Sequence, residues 1–122
     1  MILLDSNIVI GYLNGDQHIV DTLDALVRNR VALFISPVSI AEALCLPDAT
    51  GEKLATIEEF LDGFIVIDPD TAIAKLAASL RRSYKLDIPD AFIVATAMER
   101  SIPLATRDKK MRIVRGVIFA DI

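Results

Sequence analysis

Cysteine and histidine, which supply nucleophiles, disulfides and many metal ligands, each occur only once in this sequence. A single cysteine, Cys45, cannot form an internal disulfide, and its leucine neighbours predict a buried thiol that acts as a small hydrophobic residue. The single histidine, His18, lies in a polar stretch, which predicts a surface position. A Ser/His/Asp triad and a histidine-based zinc site therefore have little support.

Other absences narrow the function further. Neither of the glycine-rich loops that cradle nucleotide phosphates, GxxxxGK[ST] and GxGxxG, is present, so nucleotide binding of those kinds is unsupported. No apolar run reaches the length of a bilayer, and the first residues lack the pattern of a secretory signal, so we expect a cytoplasmic protein without a membrane partner. Thirteen Lys and Arg against 17 Asp and Glu give a net charge of −4, which argues against holding nucleic acid by bulk positive charge alone.

The sequence does have a regular alternation of apolar runs and helical patterns. Its 122 residues are 53% hydrophobic with a mean hydropathy of +0.48, which suits one well-filled core in a single domain, residues 1–122. Helix starts are marked by capping residues at Asp5, Ser36-Pro37, Asp68-Pro69 and Asp87. In the segment 91–100, apolar residues would lie on nearly all sides of a helix, so we expect a buried helix there. Short apolar runs predict strands at residues 2–4, 31–35, 64–67, 102–106 and 117–119. This order predicts an α/β fold, a three-layer α/β/α sandwich with a mostly parallel central sheet.

Four carboxylates lie where such a sheet binds its ligands, beyond the carboxyl ends of its strands. Asp5 and Asp108 follow predicted strands, Glu42 is a charge on an otherwise apolar helix, and Asp90 opens the buried helix. Each has a structural alternative. Asp5 can cap a helix, Asp90 can pair with Asp87 as a cap, Asp108 can be a turn residue, and Glu42 can reach solvent or a basic side chain. The joint pattern favours one acidic site.

Gathering carboxylates costs free energy, because like charges repel and each loses solvation. A divalent cation removes that cost, and hard oxygen ligands select Mg²⁺ or Mn²⁺. The chemistry that such a site suits is metal-assisted hydrolysis of a phosphodiester, in which a bound water attacks and no covalent protein nucleophile is required.

Four short segments contain these acids in order along the chain: LLDSN at 3–7, SIAE at 39–42, PDAFIVATA at 89–97 and LATRD at 104–108. Together they resemble the ordered motifs of PIN-domain ribonucleases, most of all the VapC toxins of toxin–antitoxin pairs. The resemblance implies an acidic quartet of Asp5, Glu42, Asp90 and Asp108 that binds Mg²⁺ or Mn²⁺, with Ser6 and Thr106 as supporting hydroxyls. It also implies an RNA substrate, a homodimer and inhibition by a small cognate antitoxin. Where family members often have a further acid, this chain has Asp108-Lys109-Lys110-Met111-Arg112, which favours one metal over two.

Six of the 13 basic residues lie in one C-terminal stretch, residues 100–115. This stretch is either a solvated face or a phosphate-binding rim, with candidate RNA contacts at Arg107, Lys109, Lys110 and Arg112. Two other functions stay open. One is a catalytically degenerate PIN-like module that binds a partner. The other is a Mg²⁺-dependent phosphoacceptor domain, for which Asp68 is the nearest acceptor, although Pro69 marks it as a cap.

Overall fold

A computed structural model describes residues 1–122. Four strands form one sheet in the order β3-β2-β1-β4, and every neighbouring pair is parallel. The strands are β1 (Ile2–Leu4), β2 (Leu33–Ile35), β3 (Ile65–Val66) and β4 (Leu104–Ala105). The helices are α1 (Ser6–Leu13), α2 (Gln17–Arg28), α3 (Pro37–Leu44), α4 (Gly51–Leu61), α5 (Thr71–Tyr84), α6 (Ile88–Arg100) and α7 (Lys109–Arg112). The predicted α/β sandwich with a parallel sheet is confirmed.

Two hydrophobic cores lie on opposite faces of the sheet. Successive side chains of a strand point to opposite faces, and in β1 Leu3 enters one core while Leu4 enters the other. The core around Leu3 is covered by α5 and α6, and the core around Leu4 by α1 to α4. The predicted burial of α6 is confirmed over residues 91–97, where six side chains are buried, five of them in the core that α6 shares with α5 and with Leu3 and Leu104 of the sheet. No helix of the protein is both long and apolar enough to cross a bilayer.

Several local predictions need correction. The segment 117–119 is not a strand, since it makes a single bridge, between Leu104 and Phe119, at the edge of the sheet. The helix expected to open at Asp68-Pro69 begins at Thr71, where the Asp70 side chain caps it by accepting from the backbone N–H of Ile73.

The prediction of a buried Cys45 is also wrong. Cys45 is exposed at the C-terminal cap of α3. It lies three residues after Glu42, on the same face of the helix, and Glu42 is exposed as well. His18, by contrast, is exposed as expected.

Candidate active site

Asp5 lies directly beyond β1, where the sheet places it beside the end of β4. Its backbone N–H donates to the carbonyl of Ala105 at 2.9 Å, which continues the ladder between the two strands by one residue. The side chain is only 3% exposed. One carboxylate oxygen accepts from the backbone N–H of Ser6 at 2.7 Å, and the other accepts from the hydroxyl of Thr106 at 2.6 Å. Asp5 therefore caps α1, which was the structural alternative for this residue. Its side chain is also held at the carboxyl edge of the sheet, where parallel sheets bind their ligands.

Glu42 reaches the same edge from α3. Its Oε1 accepts a hydrogen bond of 3.1 Å from the hydroxyl of Ser6, the residue that follows Asp5. The Ser6 hydroxyl also lies 3.0 Å from that of Ser39, which is fully buried one helical turn before Glu42. Glu42 is otherwise exposed and has no basic partner within 4.0 Å. Sequence reasoning missed Ser39 as a supporting residue, although it opens the SIAE segment and shares a face with Glu42.

Asp90 lies in the first turn of α6, half-buried, and its side chain makes no hydrogen bond within the protein. Burial raises the pKa of the Asp90 carboxyl, and the negative charges of Asp108, Glu42 and Asp87 raise it further, against the opposing charge of Lys110. The alternative role as a capping pair with Asp87 is not observed, because no side chain caps α6. Asp90 therefore lies close to other acids, and neither oxygen of its carboxylate has a hydrogen-bond partner within the protein.

Asp108 lies beyond β4 and begins α7. Its Oδ1 accepts from the backbone N–H of Lys110 at 2.9 Å, so the turn-residue alternative describes part of its role. Its own backbone N–H donates to the Thr106 hydroxyl oxygen at 3.0 Å. Because the same hydroxyl donates to Asp5, Thr106 connects the two aspartates that follow β1 and β4.

The charges of these groups act on one another. Burial raises the pKa of Asp5 to about 6 from 3.8, and the nearby charges of Asp90 and Glu42 add to the effect, while the hydrogen bonds from Thr106 and Ser6 oppose it. None of the four acids forms a salt bridge, since the ion pairs of the protein involve Asp16, Asp48, Asp70 and Asp87. The repulsion within the site is therefore not offset by a salt bridge, and only the charge of Lys110 acts against it at Asp90.

The fit of a divalent cation follows from this donor set. All four acids offer hard oxygen ligands, which suit Mg²⁺ or Mn²⁺. No three of the Asp, Glu, His and Cys side chains are gathered closely enough to form a ready-made metal cage. Mg²⁺ is usually held by one or two carboxylates together with waters and substrate phosphate, so a full protein cage is not required. The residues fit such an ion.

The acidic site lies outside every cavity of the protein. The four cavities of the protein, of about 80 to 530 Å³, are lined by other residues, and none includes Asp5, Glu42, Asp90 or Asp108. Small-molecule sites are usually concave and largely enclosed. A site outside the cavities is better suited to a polymer that lies across it.

The predicted basic rim divides into two kinds of residue. Arg107 pairs with Asp16 at 2.8 Å, and its guanidinium lowers the pKa of that carboxyl. Arg112 donates from Nε to the Thr106 carbonyl at 3.2 Å and lies 5.3 Å from the centre of the Phe119 ring. Of the four candidate RNA contacts, Lys109 and Lys110 are exposed and form no ion pair, so their charges are free.

The phosphoacceptor alternative receives no support at its candidate residue. Such a domain needs an acceptor aspartate at the end of a central strand. Asp68 follows β3, which is the edge strand of the sheet.

Comparison with known proteins decides the family. The family model described as PIN domain matches residues 2–117. The chain belongs to the PIN domain family. The resemblance found in the four sequence segments is confirmed, and the parallel sheet flanked by helices is the fold of this family's solved structures.

Three solved structures illustrate the likeness. A toxin–antitoxin complex from Klebsiella pneumoniae matches with a TM-score of 0.80 and 29% identity, over 97% of this chain and 96% of that one. FitAcB from Neisseria gonorrhoeae matches with a TM-score of 0.71 and 28% identity, over 98% and 97% of the two chains. VapBC2 from Rickettsia felis, bound to a DNA fragment from its promoter, has a TM-score of 0.81 at 21% identity over 98% of both chains, a likeness of fold alone. None of the curated proteins matches the chain.

Proposed function

We propose that this PIN-domain protein is a metal-dependent endoribonuclease and the toxin of a toxin–antitoxin pair. The observation that carries the proposal is the set of four acids at one edge of a parallel sheet. Burial and the charges of neighbouring acids raise the pKa of Asp5 and of Asp90, and no basic side chain forms a salt bridge with any of the four. Membership of the PIN family, and the position of the acids outside every cavity of the protein, support a phosphodiester polymer as substrate.

Asp5, Glu42, Asp90 and Asp108 would hold Mg²⁺ or Mn²⁺. When bound, such an ion supplies an activated water and neutralises charge that develops on the phosphate. The hydroxyl of Thr106 keeps one oxygen of Asp5 in place, and the hydroxyl of Ser6 does the same for Glu42. These bonds orient the carboxylates before substrate arrives, which lowers the cost of ordering them during the reaction.

The chain's positive charges complete the proposed site. Lys109 and Lys110 lie beside Asp108 on the exposed side of α7, where they can bind substrate phosphates. We assign Arg107 and Arg112 a smaller share of RNA binding, because each is already held by other parts of the chain. A small antitoxin belongs to the same proposal, and the toxin–antitoxin complex from Klebsiella pneumoniae among the similar structures supports it. We also propose a homodimer and a cytoplasmic location.

The test is cleavage of a single-stranded RNA by the purified protein with Mg²⁺ or Mn²⁺. We expect cleavage that stops with EDTA and is lost in Asp5→Asn. The matched control is Glu99→Gln, which removes an exposed carboxylate near the other end of α6 and should cleave like the wild type. Equal cleavage by Asp5→Asn would contradict the proposal. Absence of cleavage by the wild type under all these conditions would favour a partner-binding module.

A further inference from the structure

The largest cavity of the protein is a groove at the junction of α5 and α6, with a volume of about 530 Å³. We call it the α5–α6 groove. It is formed where α5 ends and the chain turns into α6, and it is open to solvent. Its lining consists of Ala78, Arg81, Arg82, Lys85, Asp87 and Ile88. Three cations therefore face one carboxylate in a chain whose net charge is −4.

The sequence at the end of α5 explains this charge. Arg81 and Arg82 occupy the last turn, where the free carbonyl groups of a helix favour cations, and Lys85 is the left-handed C-cap with φ 57°. Arg81 is fixed in the junction because its Nη1 donates to the carbonyl of Leu86 at 2.8 Å and lies 4.0 Å from Asp87. Arg82 and Lys85 have no carboxylate within 4.0 Å. Their charges are free to bind an anion.

The groove and the acidic site share the first turn of α6. Asp87 and Ile88, which form one wall of the groove, are the N-cap and first residue of α6, and Asp90 lies in the same turn. The charge of Asp87 acts on that of Asp90, so this wall of the groove lies beside the acids. Lys110, on α7, also lies near the acids, because its charge acts on Asp90. Basic residues therefore lie near the carboxylates both in the groove and on α7.

We propose that the α5–α6 groove binds the phosphodiester backbone of single-stranded RNA on the Asp90 side of the acidic site. The inference rests on the proposed ribonuclease function and extends it to a binding site outside the acidic centre. Arg82 and Lys85 contact phosphates, while Ile88, which is 46% exposed, offers an apolar surface to a base or sugar. A cleavable strand must pass close to the four carboxylates, and regularly spaced phosphates suit an open groove with unpaired cations.

The test measures RNA binding without catalysis. In an Asp5→Asn background with EDTA, the affinity for a labelled single-stranded RNA is measured from 50 to 200 mM salt. We expect Arg82→Ala/Lys85→Ala to bind more weakly at 50 mM and to reduce the slope of log K against log salt by about 1.4, at roughly 0.7 per phosphate contact. The parent's affinity should therefore fall about sevenfold more than the variant's across that range.

The matched control is Arg28→Ala/Lys75→Ala, which removes two exposed helical cations that do not line the groove. It should keep the parent's slope. Arg81 is not replaced, because its guanidinium donates a hydrogen bond to the Leu86 carbonyl and its loss could disturb the turn between the helices. Thermal melting checks that both double variants are folded. An unchanged slope in Arg82→Ala/Lys85→Ala, or an equal decrease in the control, would overturn the proposal. Binding of an acidic peptide to the parent and to Arg82→Ala/Lys85→Ala is measured as well. If the variant loses peptide binding but keeps the parent's RNA binding, the groove binds a protein and the proposal is overturned.

Failure of the groove and failure of the nuclease give different results. If the protein with Asp5 intact cleaves RNA while the groove variant keeps the parent's salt slope, only the groove assignment is wrong. If the slope decreases as expected but no metal-dependent cleavage occurs, the RNA-binding groove stands and the proposed ribonuclease does not.

Discussion

Replacing Asp5 with asparagine should stabilise the metal-free protein at neutral pH, although it removes a residue of the proposed active site. The amide has the shape of the carboxylate. Its oxygen can accept from the backbone N–H of Ser6, and its NH₂ can donate to the Thr106 hydroxyl oxygen. The hydrogen of that hydroxyl can then turn to the sulfur of Met111, 3.6 Å away. No buried group loses all its partners.

The magnitude follows from the raised pKa of Asp5. The carboxyl has a pKa of about 6 in the folded protein against 3.8 in the unfolded chain, so the folded state binds the proton more tightly. Wild-type stability therefore decreases as pH rises from about 4 to about 6 and stays lower above that. The shift corresponds to about 3 kcal/mol. Asparagine does not ionise and avoids this cost.

The assay is urea denaturation of both proteins in EDTA between pH 4 and pH 8. The free energy of unfolding of Asp5→Asn should exceed that of the wild type by up to about 3 kcal/mol at pH 8, or roughly 10 °C in Tm, and by little at pH 4. Titrating groups that do not interact with Asp5 are common to both proteins, so their effects cancel in the difference. Asp90 and Glu42 do interact with Asp5, and in Asp5→Asn they are relieved of its negative charge, which favours the variant further at high pH. A difference that is the same at every pH would refute the argument that burial of the Asp5 charge destabilises the free protein.

Three further results are expected. Thr106→Val removes the hydroxyl that donates to Asp5, so it should lower the free energy of unfolding by about 1–3 kcal/mol. Because that hydrogen bond lowers the pKa of Asp5, its loss should move the acidic limb of the pH–rate profile for RNA cleavage to higher pH, and an unmoved limb would contradict this. Gly11→Ala places a Cβ against the Cδ1 of fully buried Ile19, and denaturation should show a loss of about 1–3 kcal/mol. Cys45 should react fully with a thiol reagent in the native protein, because it is exposed; labelling only after denaturation would show that it is buried.

The parts of the fold set by local chemistry could be predicted from the sequence. The Ser36-Pro37 pair starts α3 as expected, with the Ser36 hydroxyl accepting from the backbone N–H of Val38. Asp5 follows an apolar run and caps a helix, and a short apolar run in a parallel sheet places its last residue at the ligand-binding edge. These signals span only a few residues each, so they can be read without knowing what packs against them.

The remainder depends on contacts between distant segments. The Ser39 and Ser6 hydroxyls meet across 33 residues, and no local pattern indicates that pairing. Arg112 lies against Phe119 rather than projecting freely, because the chain after α7 folds back along it. Asp87 occupies the N-cap position of α6, as its sequence predicts, but its side chain makes no capping hydrogen bond. In each case, tertiary packing decides a side-chain role that the residue type alone leaves open.

The most direct test of the central claim is Mn²⁺ binding to the purified protein, measured by titration calorimetry without RNA. The wild type and the control Glu99→Gln should bind the ion alike. Asp5→Asn and Asp90→Asn should each bind it roughly tenfold or more weakly, since both carboxylates are proposed ligands. Equal Mn²⁺ affinity in all four proteins would contradict the claim that these acids form a metal-binding active site.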